Sequence, residues 1–173
     1  MSSLIREQAI ILMKEHFNNG EWYVNHALQV TAFAETIMHN EQMESPFTQQ
    51  VITLAGIFHD VGIPAAIEKH GSGAGPLQEK EGEPLARALM TALSIRPDIL
   101  ERVCYIVAHH HTLSAVDGPD FQVIWEADAL VNIPNSWGKR AYEHTLPELI
   151  ELTFRTRTGT ELITKWAREN SLL

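Results

Sequence analysis

Four side chains in this 173-residue chain have the types and placement to hold a divalent metal. His59 and Asp60 are adjacent in the run IFHDVGIP, with a glycine and a proline close behind. His26 lies upstream in WYVNHALQVTAFAETI, and Asp128 lies downstream in FQVIWEADALVNIP. Two imidazoles and two carboxylates form a mixed nitrogen and oxygen donor set, suited to a divalent ion with open coordination positions. A His-Asp dipeptide alone is common by chance, so the case depends on where the elements put it.

The apolar periodicity directs three of these groups inward. His26, Val30, Phe33 and Ile37 follow helical spacing on one face. His59 continues the stripe of Val51, Ala55 and Phe58, and Asp128 continues that of Phe121 and Ile124. A carboxylate on such a stripe is costly to bury unpaired, so Asp128 requires a cation. Asp60 would point about 100° away from His59 on a continuing helix. Both reach one ion only if the helix ends there, and Gly62 and Pro64 supply the ending. A carboxylate at a helix C-terminus also opposes the dipole, a conflict that a nearby cation removes. Glu126 falls on another face and reads as solvent-exposed.

The run His109-His110-His111 is the next concentration of chemistry. His110 follows the stripe of Ile99, Val103 and Ile106, so it is the best inward candidate of the three. His16, His39, His70 and His144 have no ligand context and read as surface or capping residues.

The elements that must position these groups are helical throughout. Helices are expected over about residues 4–17, 22–40, 46–60, 83–93, from 97 through the histidine run, 119–131 and 160–169. Residues 62–78, with HGSGAGP, read as an irregular loop that lacks the Gly-Lys-Ser/Thr ending of a P-loop. The expectation is an all-α, single-domain helical bundle of about six to eight helices spanning residues 1–173, with the metal site between helices.

Composition narrows the function. A formal net charge of −9 argues against duplex nucleic acid as a partner, although a bound metal can reverse the field locally for a small phosphate substrate. No apolar run reads as a membrane span, no signal-peptide core follows MSSLIREQ, and the single cysteine, Cys104, excludes an internal disulfide. A cytoplasmic protein with no membrane partner is therefore expected, and Cys104 reads as a buried core thiol. Trp137, Trp166 and the apolar C-terminal helix are compatible with a homodimer.

The ordered set of His26 in NHALQV, His59-Asp60 in FHDVGIP and Asp128 in EADALVN resembles the HD superfamily of metal-dependent phosphohydrolases. The resemblance covers about residues 22–135 and includes IVAHHH, with 136–173 as a C-terminal helical extension. It implies an HD-domain-like bundle with His26, His59, Asp60 and Asp128 as ligands of a divalent ion (Mn, Fe, Co, Ni, Mg or Zn). The implied activity is hydrolysis of a small phosphate ester such as a nucleotide, with monoester and diester both open. Asp60 and His110 are then the catalytic candidates. His109, His111, Lys80 and Arg87, with Lys69, are candidates for binding phosphate. The chain also departs from the pattern. PLQEKEGEPLAR lacks the histidine of two-metal members, which leaves Glu81 and His110 as candidates for a second ion and favours one ion over two. Ile63 stands where many members carry Lys or Glu, and no Gly-Tyr-Pro follows the histidine run. Two alternatives stay open: an HD-type di-iron oxygenase and a non-catalytic metal- or nucleotide-binding module.

Overall fold

The computed structural model describes residues 3–138 and 143–173. Among the described residues there are nine α-helices, one 3-10 turn at Leu113–Ala115, and no strand. The helices are α1 (Ser3–His16), α2 (Glu21–Asn40), α3 (Pro46–Phe58), α4 (Ile63–His70), α5 (Gly75–Thr91), α6 (Pro97–Val107), α7 (Pro119–Ser136), α8 (Leu146–Thr153) and α9 (Arg157–Glu169). The expected all-α architecture is what forms.

Helix α3 is the centre of the bundle. Every residue from Val51 to Phe58 is buried, as expected for a helix apolar on all sides. It packs against α1, α2, α6 and α7, so the elements carrying His26 and Asp128 both touch the one that leads into His59. The α2–α3 crossing is close because Gly56 has no side chain. A Cβ there would lie 3.1 Å from Thr31 Cα. Gly56 is three residues before His59, and Thr31 is five after His26, so this crossing sets the distance between the two imidazoles.

The expected loop over residues 62–78 is instead α4 followed by the start of α5. Pro64 and Pro76 each sit in a first helical turn, where a missing N–H costs nothing and the fixed φ favours helix. They start helices here rather than break them. Only Gly71, with φ of +69°, and the few residues after it are irregular. Pro134 lies in the last turn of α7, where it forgoes one backbone hydrogen bond without ending the helix, which extends to Ser136.

Helix α8 was not read from sequence, although Thr145 and Glu148 spell a capping box: the Thr145 N–H donates to Glu148 at 2.8 Å. The tail overturns the reading of Glu126 as exposed. Glu126 is fully buried and accepts from the backbone N–H groups of Arg155 (2.7 Å) and Thr156 (2.9 Å) and from the Thr156 hydroxyl (2.5 Å). It holds the strand-like entry to α9, a packing that local periodicity does not register. His16, read as a surface or capping residue, is half-buried, and its Nε2 donates to the Val61 carbonyl at 2.7 Å.

The reading that no apolar run suits a membrane needs correcting on length and composition. Pro46–His70 spans 25 residues with a mean hydropathy of 1.4 in its most apolar window. That window is 78% buried inside the fold, and the His59-Asp60 turn interrupts it. Cys104 is buried as expected, and burial pushes its thiol up to about 11.

Candidate metal centre

Helix α3 ends at Phe58, and residues 59–62 form a turn before α4. His59 is the C-cap of α3, and Asp60 follows outside the regular helix. The turn presses against α5 at Gly62, where a Cβ would lie 2.2 Å from the Gln78 carbonyl oxygen and 2.7 Å from Gly82 N. This close approach, together with His16 on the Val61 carbonyl, fixes the path of the chain on the far side of Asp60.

The turn brings all four proposed ligands to one point. His26 Nε2 lies 3.2 Å from His59 Nε2, 3.1 Å from Asp60 Oδ2 and 3.1 Å from Asp128 Oδ1. His59 Nε2 is also 3.3 Å from Asp60 Oδ2 and 3.7 Å from Asp128 Oδ1. His59 Nδ1 donates to the Gly56 carbonyl at 2.9 Å, which leaves its Nε2 as the lone pair facing inward. Asn132, one turn after Asp128, donates to Asp128 Oδ2 at 2.8 Å and aims Oδ1 at the histidines.

The electrostatics of this cluster are those of a cation site. Burial pushes His26 down, but Asp128 and Asp60 outweigh it and raise the imidazole to about 10. Burial likewise pushes Asp60 up, and its close contacts with His59, His110 and His26 hold it well below the usual carboxylate range. Asp128 is lowered too, against burial, chiefly by His26 and then His59. Around His26 Nε2 a single proton faces three acceptors. Asp128 Oδ1 is buried and makes no well-directed hydrogen bond. One proton cannot serve that arrangement, whereas a multivalent cation with several coordination directions can. The residues present therefore fit a divalent ion.

A second group adjoins the first. Asp60 turns Oδ2 to His26 and His59, and Oδ1 to His110 Nε2 at 3.3 Å. His110 is buried, with its Nδ1 donating to the Val107 carbonyl at 2.8 Å and its Nε2 lacking a hydrogen-bond partner. Burial lowers its pKa, but Asp60 dominates and raises it. Both His26–His59–Asp128 and Asp60–His110–His111 have ligand atoms close enough for an ion.

The remaining sequence candidates separate. His111 stands at the edge of the site, its Nε2 donating to Gln78 Oε1 at 3.0 Å and its backbone N–H to Glu79 at 2.9 Å. His109 is outside it, donating Nδ1 to the Tyr105 carbonyl with its ring packed on Tyr105, because it follows the outer line of α6. Glu81 is buried but belongs to neither group. Lys69 (2.5 Å) and His70 (2.9 Å) occupy its oxygens, so α4 and α5 are tied together there and no second-ion ligand results. The same pair engages Lys69, whose side chain is otherwise largely exposed. Arg87 is held by Glu83 and Glu101 on the outer side of α5 and α6, and Lys80 is exposed on α5. The sequence reading missed Asn132 and Gln78 as supports and Trp22, whose ring stacks on His26 at 5.6 Å. Asn132 carried a visible signal, four residues after Asp128 on the same helical face.

The profile of the family described as HD domain matches residues 23–150. Comparison with curated proteins and with solved structures returned no match.

Proposed function

The chain belongs to the HD domain family of the metal-dependent phosphohydrolase superfamily, and from that premise we propose that it hydrolyses a small phosphate ester. One observation carries the reading: His26, His59, Asp60 and Asp128 converge on a point that a proton satisfies poorly and a divalent cation satisfies well. When bound there, the ion supplies Lewis acidity toward a phosphoryl oxygen and toward a water. The chain's own groups handle the protons. Asp60 lies between the two histidine groups, where its Oδ1 accepts a proton from the attacking water. His110, with Nε2 3.3 Å from Asp60 Oδ1, is placed to donate to the leaving oxygen. His111 is held at the rim by Gln78 and the Glu79 contact.

The test is a phosphate-ester panel run on protein loaded separately with Mn, Co, Ni and Mg. Turnover is expected with at least one ion. His59→Ala and Asp128→Ala should each lower it by about a hundredfold or more, as loss of a buried ligand does. Wild-type turnover in both variants would sink the assignment.

One feature favours a second reading. Asp60 faces two adjacent ligand groups, an arrangement that also suits two iron ions and oxidative chemistry. Two irons per chain with substrate-dependent oxygen uptake would select the oxygenase, and phosphate release without oxygen uptake would exclude it.

A further inference from the structure

The run HGSGAGP lacks the ending of a phosphate-binding loop, and the structure gives it another use. Residues 71–74 join α4 to α5, and Gly75 opens α5. One face of that helix start, at Gly75, Gln78 and Glu79, meets the turn that carries His111. A Cβ at Gly75 would lie 2.8 Å from His111 Cγ, so the ring packs where a side chain would stand. Glu79 accepts from the His111 backbone N–H and from the Thr112 hydroxyl, both at 2.9 Å. The backbone and the ring of His111 are thus both seated on α5.

The same contacts determine where the ring proton sits. The Gly73 carbonyl can only accept, so the Gln78 atom 2.5 Å from it is the amide nitrogen. That turns Gln78 Oε1 toward His111 Nε2 at 3.0 Å, and a carboxamide oxygen can only accept. His111 Nε2 therefore carries the proton, and Nδ1 holds the lone pair. His59 and His110 are the reverse, since each donates from Nδ1, to the Gly56 and Val107 carbonyls. His111 borders a cavity of about 680 Å³ between α2 and α7, into which the metal centre opens. It also brings a ring nitrogen near an Asp60 oxygen and a His110 nitrogen, all within 4.8 Å of one another, a spacing that one water can bridge.

We propose that Gln78 is a positioning residue: backed by the Gly73 carbonyl, it locks His111 in the Nε2–H form, so that His111 Nδ1 accepts a hydrogen bond from the attacking water. The role in the reaction rests on the phosphohydrolase reading, whereas the locked tautomer stands without it. The water gives one proton to Asp60 and points its other hydrogen at His111 Nδ1, which orients its oxygen toward phosphorus. As the water oxygen bonds to phosphorus the ester P–O bond breaks, and the leaving oxygen takes a proton from His110. His111 neither gains nor loses a proton, and no co-reactant is needed.

The test uses the full chain and two readouts. The first is the imidazole nitrogen NMR spectrum of chelated protein at about pH 8, above the ordinary imidazole range, with His111 assigned by its loss in His111→Ala. His111 should show the Nε2–H form alone, and an Nδ1–H form or an even mixture overturns the relay. The second is the hydrolysis of p-nitrophenyl phosphate by Mn-loaded protein. Gln78→Leu should lower kcat by about tenfold, as loss of one hydrogen bond does, with KM and metal content within about twofold of wild type. Gln78→Glu keeps an acceptor oxygen at the same reach and should recover most of the loss. In a His111→Ala background, Gln78→Leu should cost nothing further, because it acts through that ring. Additive losses, or wild-type kcat in Gln78→Leu, overturn the positioning role. A second bound ion that His111→Ala removes also overturns it, because Nδ1 is then a metal ligand. Absence of turnover with every ion overturns the hydrolase reading and the role of His111 in it, and the ring spectrum still decides the relay.

Discussion

At the scale of single residues, the site is a competition between one proton and one metal ion. His26 is raised from about 6.5 to about 10 in the metal-free protein, a preference for the charged form of roughly 5 kcal/mol. A metal that uses His26 Nε2 must displace that proton. Metal affinity should therefore strengthen by up to about tenfold per pH unit between pH 7 and 9, with about one proton released per ion. Titration calorimetry in buffers of different ionisation enthalpy measures both, and pH-independent affinity would contradict the assignment. The same group sets a stability trend without metal. A folded pKa above the unfolded one gives stabilisation that is full below about 6.5 and disappears as pH rises toward 10. The melting temperature of chelated protein should fall across that window, and saturating metal should flatten the decline.

At the scale of elements, small and buried residues place the ligands. Gly62 lets the 59–62 turn touch α5, and Gly62→Ala would force a Cβ into the Gln78 carbonyl. It should cost about 1–3 kcal/mol and weaken metal binding, since Asp60 moves with the turn. Chemical denaturation together with metal titration reads both effects. Glu126 gives the contrasting case. Glu126→Ala leaves the donors of Arg155 and Thr156 unsatisfied, and should destabilise by about 2–3 kcal/mol while leaving metal affinity near wild type. These positions also mark where the sequence was legible. His26, His59, His110 and Asp128 each continue an apolar stripe, so their inward direction could be read locally. Glu126, Glu81 and His16 could not be read that way, because their partners lie on elements distant in the chain. Pro64 and Pro76 misled for a different reason: one residue type both stops and starts helices, and only the neighbouring turn decides which.

At the scale of the molecule, α3 is a buried axis whose end carries the His59-Asp60 turn, and α2 and α7 pack along it with one further ligand each. The bundle therefore holds several ionisable groups at its centre, an arrangement that would weaken a metal-free fold. An ion at 100 times its dissociation constant adds about 2.7 kcal/mol to stability, so chelation should lower the melting temperature by several degrees. The all-α class was legible because helical periodicity runs through nearly the whole chain. The cavity between α2 and α7 was not, because it depends on how two faces meet.

The central claim is that His26, His59, Asp60 and Asp128 hold a divalent ion. Elemental analysis after Mn saturation and desalting tests it most directly, on wild type, His59→Ala, Asp128→Ala and Glu81→Ala, each checked for helical content by circular dichroism. The account predicts stoichiometric metal in wild type and Glu81→Ala, and at most about a tenth of it in the other two variants. Wild-type metal content in folded His59→Ala and Asp128→Ala would contradict it.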